Sequence, residues 1–135
     1  MHYQDEPAKV LIVDDHASIR IGICGLIELE RPRLCCVGAV GSAREALLRT
    51  RQLQPDVIVL DADLAGEDGI ALIPALRGCA PCAIVVFTVL TDAQAFARAR
   101  RLGAYACVNK MAPTALLIAA VLAAALAGSQ PHEIS

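Results

Sequence analysis

Six polar residues stand where apolar runs of the chain end: Asp14 and Asp15, then Asp61, then Thr88, then Asn109 with Lys110. If those runs are parallel strands, their ends share one edge. Three carboxylates, a hydroxyl and an ammonium then meet in a small volume. Carboxylates held close repel, and some stay protonated unless a cation neutralises them. A hard divalent ion with oxygen ligands is the natural partner, and Mg²⁺ is the usual one where phosphate is handled. A carboxylate can also act as a nucleophile and accept a phosphoryl group as an acyl phosphate. That transfer needs in-line positioning and positive charge beside the phosphoryl oxygens. A metal and Lys110 would supply the charge, and Thr88 could donate a hydrogen bond. Singly, each residue has a plainer explanation. An Asp after a strand often only caps the next helix. A Thr inside a strand often reflects propensity, and a Lys after one is commonly solvated. The weight lies in four strand ends supplying complementary groups.

Five short apolar runs would position these groups, at residues 9–13, 34–40, 57–60, 83–87 and 106–108. Each has the length and composition of a buried strand, and only the second is broken, by Gly38 and the Cys35–Cys36 pair. Helical segments lie between them. Residues 17–30 put Ile19, Ile23, Leu26 and Ile27 on one face. Ser42, with Glu45 three positions on, forms a capping box for a helix reaching Leu53. Residues 69–77 form a shorter helix interrupted by Pro74; residues 92–102 end at Gly103; residues 113–127 open near Pro113 and stop at Gly128. Strand and helix alternate five times. Such a chain makes a parallel sheet with helices on both faces and right-handed crossovers. Chemistry belongs at the C-terminal edge of the strands.

The length of 135 residues suits one domain, over 1–128, with 129–135 as a tail or the start of a linker. Hydrophobic residues make up 56% and aromatics 3%, so the core is aliphatic. A net charge of −2 gives no footprint for non-specific nucleic-acid binding. The arginines at 44, 49 and 51 and at 98, 100 and 101 read as solvated helix faces. The polar N-terminus lacks an apolar signal core, and the run at 115–127 is short of the about 20 residues a bilayer needs. A cytoplasmic protein without membrane contact is expected. Of the six cysteines, Cys24, Cys35, Cys36 and Cys107 read as buried reduced thiols. Cys79-Ala-Pro-Cys82 has redox spacing but precedes a strand, the reverse of a thioredoxin-like site.

These residues resemble bacterial response-regulator receiver domains over about residues 8–128, and most closely the NarL/FixJ (LuxR-type) subgroup. Val10-Leu-Ile-Val-Asp-Asp-His16, followed by Arg20 and Gly22, is similar to the opening of that subgroup. Pro55-Asp-Val-Ile-Val-Leu-Asp61, with Gly66 and Asp68-Gly69, looks like its phosphoacceptor strand and loop. Phe87-Thr88, Gly103-Ala104 and Lys110 resemble the remaining motifs. The resemblance implies a flavodoxin-like (βα)5 three-layer sandwich with a five-stranded parallel sheet in the order 2-1-3-4-5. It implies that Asp61 is the phosphoacceptor and a metal ligand. Asp15 would hold Mg²⁺ directly, Asp14 partly through water, and Asp63 through its backbone carbonyl. Thr88 and Lys110 would bind phosphoryl oxygens, and a histidine kinase would be the donor. Two positions depart from the family: Ala65 stands where Pro is usual, and Cys107 where an aromatic residue is usual. Alternation puts Tyr105 on the face of Cys107, and the switch is expected to rely on Thr88 and the loop after Phe87.

The last helix, residues 115–127, has no polar face, which points to a homodimer or another docked domain. Receivers of this subgroup usually precede a helix-turn-helix domain, so transcription regulation is expected through an output domain outside this sequence, with no nucleic-acid binding by these residues. The chain is not expected to be an enzyme. Two rivals differ in class. Asp61-Ala-Asp63 has the Asp-x-Asp pattern of haloacid-dehalogenase-type phosphatases, though on the third strand and not the first. A pseudo-receiver would use the same fold without phosphorylation.

Overall fold

The computed structural model describes residues 6–89 and 92–128. Its order is β1 (Ala8–Val13), α1 (Ala17–Glu28), β2 (Leu34–Val40), α2 (Ala43–Leu53) and β3 (Val57–Leu60). A hairpin of β4 (Asp63–Leu64) and β5 (Glu67–Asp68) follows, then a 3-10 turn, Ile70–Leu72, and α3 (Ile73–Cys79). The chain closes with β6 (Ala83–Thr88), α4 (Ala93–Arg101), β7 (Ala104–Asn109) and α5 (Thr114–Gly128). The sheet runs β2-β1-β3-β6-β7, all pairs parallel. Without the small hairpin, this is the expected order 2-1-3-4-5 of a flavodoxin-like fold.

The central strands read as unbroken apolar runs because both their faces are covered. Alternation sends Leu11, Val13, Ile58 and Leu60 into a core with Ala46 of α2, Ile73 and Leu76 of α3, and Ala99 of α4. It sends Val10, Ile12, Val57 and Val59 into a second core with Ile23 and Ile27 of α1 and Leu117, Val121 and Ala124 of α5. Stacking the strands in parallel register brings their C-terminal ends to one rim.

Several local expectations are corrected. Pro74 does not interrupt a helix; it opens α3, where a missing N–H costs nothing, after residues 70–72 have turned as a 3-10 segment. Ser42 Oγ accepts from Glu45 N at 3.2 Å, but the return bond to Glu45 comes from Gly41 N. The fully buried thiol is Cys82; Cys24, Cys35, Cys36 and Cys107 are half-buried. Burial pushes the Cys82 thiol up to about 11, which opposes a redox role. Strand β7 shifts register opposite Ile84 and Val85, so Ala104 and Cys107 face the same core and simple alternation fails at Tyr105. Arg98 is not merely solvated: its guanidinium lies 2.9 Å from Asp68 and links α4 to the hairpin. The tail at 129–135 and positions 90 and 91 of the loop after Phe87 lie outside the described residues.

Candidate functional site

Each group at the rim is fixed by a strand. The amide of Asp14 donates to Val40 O at 3.0 Å, and that of Asp61 donates to Val13 O at 2.9 Å. These bonds continue the ladders β1–β2 and β1–β3 past the last apolar residue. Thr88 pairs in register with Asn109, and the amide of Lys110 donates to Thr88 O at 2.9 Å. Asp14, Asp61 and Thr88 are buried, and Asp15 is half-buried.

The Lys110 ammonium joins the acidic strand ends. Its Nζ donates to Asp14 Oδ2 at 2.6 Å and to Asp61 Oδ2 at 3.0 Å. It also lies 5.8 Å from the Phe87 ring centroid. Burial pulls the ammonium down, but its hydrogen bonds to both carboxylates outweigh that and hold it above its ordinary value. Burial, with Asp14 adding to it, pushes the Asp61 carboxyl up; the Asp63 amide and Lys110 only partly offset this. Three carboxylates and one ammonium leave the rim short of positive charge. Oδ1 of Asp15 is buried and accepts no hydrogen bond among the described residues. Orphaned buried carboxylate oxygens of this kind fit a hard divalent ion.

The phosphoacceptor candidate is also held by its own loop. Asp61 Oδ1 accepts from the Asp63 amide at 3.1 Å. A Cβ at Gly69 would fall 2.1 Å from the carbonyl of Asp61, and Gly69 N donates to Ala62 O at 2.8 Å. Only glycine lets the returning chain pass this close. The Asp63 carboxylate stands apart from the acidic group and accepts from Gly66 N at 2.9 Å. Its Oδ1 steadies the turn, and the metal role expected of this residue falls on its carbonyl.

Two residues at the site carried no role in the sequence reading. His16 Nδ1 lies 3.3 Å from both Asp14 Oδ1 and Asp15 Oδ1. Arg20 donates from Nη1 to the carbonyl of Asp14 at 2.8 Å. Adjacency to the acidic pair was the available signal for His16. For Arg20 no spacing rule pointed to the contact, because Asp14 lies six positions earlier and outside α1.

The family of response regulator receiver domains matches residues 10–122. Nitrate/nitrite response regulator protein NarL of Escherichia coli (strain K12) is 34% identical over 122 residues, which cover 89% of this chain and 56% of that protein. A protein-glutamate methylesterase/protein-glutamine glutaminase of Rhizobium johnstonii is 32% identical over 109 residues, covering 79% of this chain and 31% of the relative. The chain thus spans about a third of the length of the methylesterases it matches. Among solved structures, a LuxR-family two-component response regulator from Aurantimonas sp. SI85-9A1 superposes with a TM-score of 0.82 at 32% identity, covering 90% of this chain and 87% of that one. The response regulator domain of Thermotoga maritima CheB gives 0.78 at 25% identity, covering 90% and 98%.

Proposed function

The chain belongs to the response regulator receiver family of two-component systems, in the NarL/FixJ (LuxR-type) subgroup, and on that premise we propose that Asp61 accepts a phosphoryl group from a histidine kinase. The observation that carries the proposal is the convergence on Lys110: its ammonium touches the carboxylates of Asp14 and Asp61 from two different strands.

In the proposed reaction a carboxylate oxygen of Asp61 attacks the phosphorus in line, and the phosphorus–nitrogen bond to the donor imidazole breaks. Lys110, already at hydrogen-bond distance from Asp61, turns its ammonium to the transferring oxygens. Thr88, buried at the adjacent strand end, donates its hydroxyl to one of them. Asp14, Asp15, Asp61 and the carbonyl of Asp63 would hold Mg²⁺, which when bound supplies positive charge for the phosphoryl oxygens. The Asp63 amide steadies Asp61 through Oδ1.

The acyl phosphate then biases the loops that carry Thr88 and Lys110, because contacts made in one arrangement only shift a two-state equilibrium. The receiver is assigned to residues 1–128. Its output, transcription regulation through a separate domain, and its homodimerisation through α5 belong to the same proposal. On α5, Leu117, Val121 and Ala124 are buried against the sheet while Leu116 and Leu126, away from that face, are 54% and 66% exposed, which supports a partner on the outer side of the helix. Among the described residues no helix is long and apolar enough to cross a membrane. Turnover of phosphate esters is not proposed, since the Asp63 carboxylate is committed to the Gly66 amide.

Intact-mass measurement after treatment with acetyl phosphate and Mg²⁺ tests the reading. One phosphoryl group is expected on the wild type and none on Asp61→Asn. A folded wild type that takes up no label would leave a phosphorylation-independent interaction module in its place, and a variant that labels equally would move the phosphoacceptor away from Asp61.

A further inference from the structure

We infer that His16 supplies a nitrogen ligand to this centre, so that the site holds first-row transition ions such as Mn²⁺ or Co²⁺ more tightly than its carboxylates alone would. The inference rests on the metal-centre reading above and adds a donor of a different class.

Four donor atoms from neighbouring residues are gathered in a space close to that of one ion. One ligand atom each from Asp14, Asp15, His16 and Asp61 lie within 4.8 Å of one another. Two donors each about 2.1 Å from one ion stand about 3 Å apart when adjacent and about 4 Å apart when opposite. The separations of 3.3 Å from His16 Nδ1 to Asp14 Oδ1 and to Asp15 Oδ1 match the adjacent case. Lys110 is engaged with Oδ2 of Asp14 and Asp61, so the Oδ1 side of Asp14 remains toward the imidazole. The contact with Asp15 lies at ionic distance but lacks hydrogen-bond geometry, and its Oδ1 is the buried oxygen without a donor.

An independent observation concerns what His16 does not do. It occupies the N-cap position of α1, where a side chain ordinarily accepts from the helix amides, and it makes no such bond. Locally its backbone amide donates to Asp14 Oδ1 at 2.9 Å, and its ring Nδ1 is hydrogen-bonded to the same oxygen at 3.3 Å, a contact that ligation of an ion by Nδ1 would replace. The ring turns back to the carboxylates instead. It is 66% exposed, so an ion can reach it from solvent. Imidazole is a softer donor than carboxylate and favours the later first-row metals over Mg²⁺.

The test loads the intact chain with Mn²⁺ and reads nitrogen coupling by pulsed electron paramagnetic resonance. Coupling to one imidazole nitrogen is expected in the wild type and its loss in His16→Gln. Calorimetric titration should show Co²⁺ affinity falling about tenfold in that variant, with a smaller change for Mg²⁺. Mn²⁺ bound without nitrogen coupling overturns the inference and leaves the metal centre standing. Coupling that persists in His16→Gln also overturns it, because the nitrogen then belongs to His2 or His132, the other imidazoles of the chain. A wild type that binds no Mn²⁺ removes the metal-centre reading itself.

Discussion

The ammonium of Lys110 lies 3.0 Å from the carboxylate of Asp61, 49 positions earlier in the chain. Both side chains are largely buried, at 11% and 5% exposure, so this is an interior pair and not a surface one. Removing one partner strands the other: Lys110→Ala leaves Asp14 and Asp61 buried and facing each other without a cation. A loss of about 3 kcal/mol is expected in metal-free urea unfolding. Added Mg²⁺ should recover part of it, since a divalent ion relieves the same repulsion. Equal losses with and without Mg²⁺ would contradict this.

Asp61 itself should show the opposite sign. Burial, with Asp14 adding to it, raises its pKa in the folded chain above the unfolded value, against the pull of the Asp63 amide and Lys110. The folded state therefore binds this proton more tightly than the unfolded state. Ionised Asp61 costs stability above the folded pKa, and the cost disappears as pH falls below the unfolded one. In metal-free buffer at pH 7, Asp61→Asn should melt above the wild type. The gap should close as pH drops through the carboxylate range. A variant that melts lower at pH 7 would rule this out.

Ala65 and Gly66 form the two-residue loop of the β4–β5 hairpin, with φ of 54° and 92°. Both central residues at positive φ mark a type I′ turn, which favours Asn-Gly. An alanine held there costs about 1 kcal/mol. Ala65→Asn should return about that much in thermal unfolding. Ala65→Pro should destabilise by about 3 kcal/mol, because proline fixes φ near −65°. An Ala65→Pro variant as stable as wild type would show that the loop takes another form.

The same hairpin shows where sequence reading stops. The five apolar runs and the polar residues that end them were legible, because strands buried on both faces admit little but Val, Ile, Leu and Ala. Asp14, Asp61 and Lys110 were legible as a group once a parallel sheet was inferred. Positive φ at Ala65 was not, since alanine carries no turn signature, and the lack of proline looked like an unexplained departure. The backbone supplies its reason: the usual proline cannot adopt this turn. The β7 register shift at Tyr105 was hidden likewise, because a bulge depends on the partner strand. Ring orientation at His16 depends on which carboxylates surround it, and local sequence does not encode that.

Arg20 and Gly41 provide a way to disturb the acidic loop without touching an acid. The Arg20 guanidinium reaches back from α1 to the carbonyl of Asp14, and it passes where a Cβ on residue 41 would sit, 2.9 Å from Nη1. The atom met there is the end of a flexible side chain, so Gly41→Ala can be accommodated by moving Arg20 aside with little cost to packing. The hydrogen bond to Asp14 would still be lost. Both Gly41→Ala and Arg20→Gln should therefore lower Mg²⁺ affinity, by up to about tenfold for the arginine, as for other groups that orient metal ligands. Arg20→Lys should restore part of it if its shorter ammonium still reaches the carbonyl. Calorimetric titration with Mg²⁺ reads the affinity, and urea unfolding in metal-free buffer reads the fold. Affinity falling in both variants at nearly constant stability would identify Arg20 as a positioning residue. Unchanged affinity in Arg20→Gln would show that the loop holds its shape through the Val40 ladder bond alone.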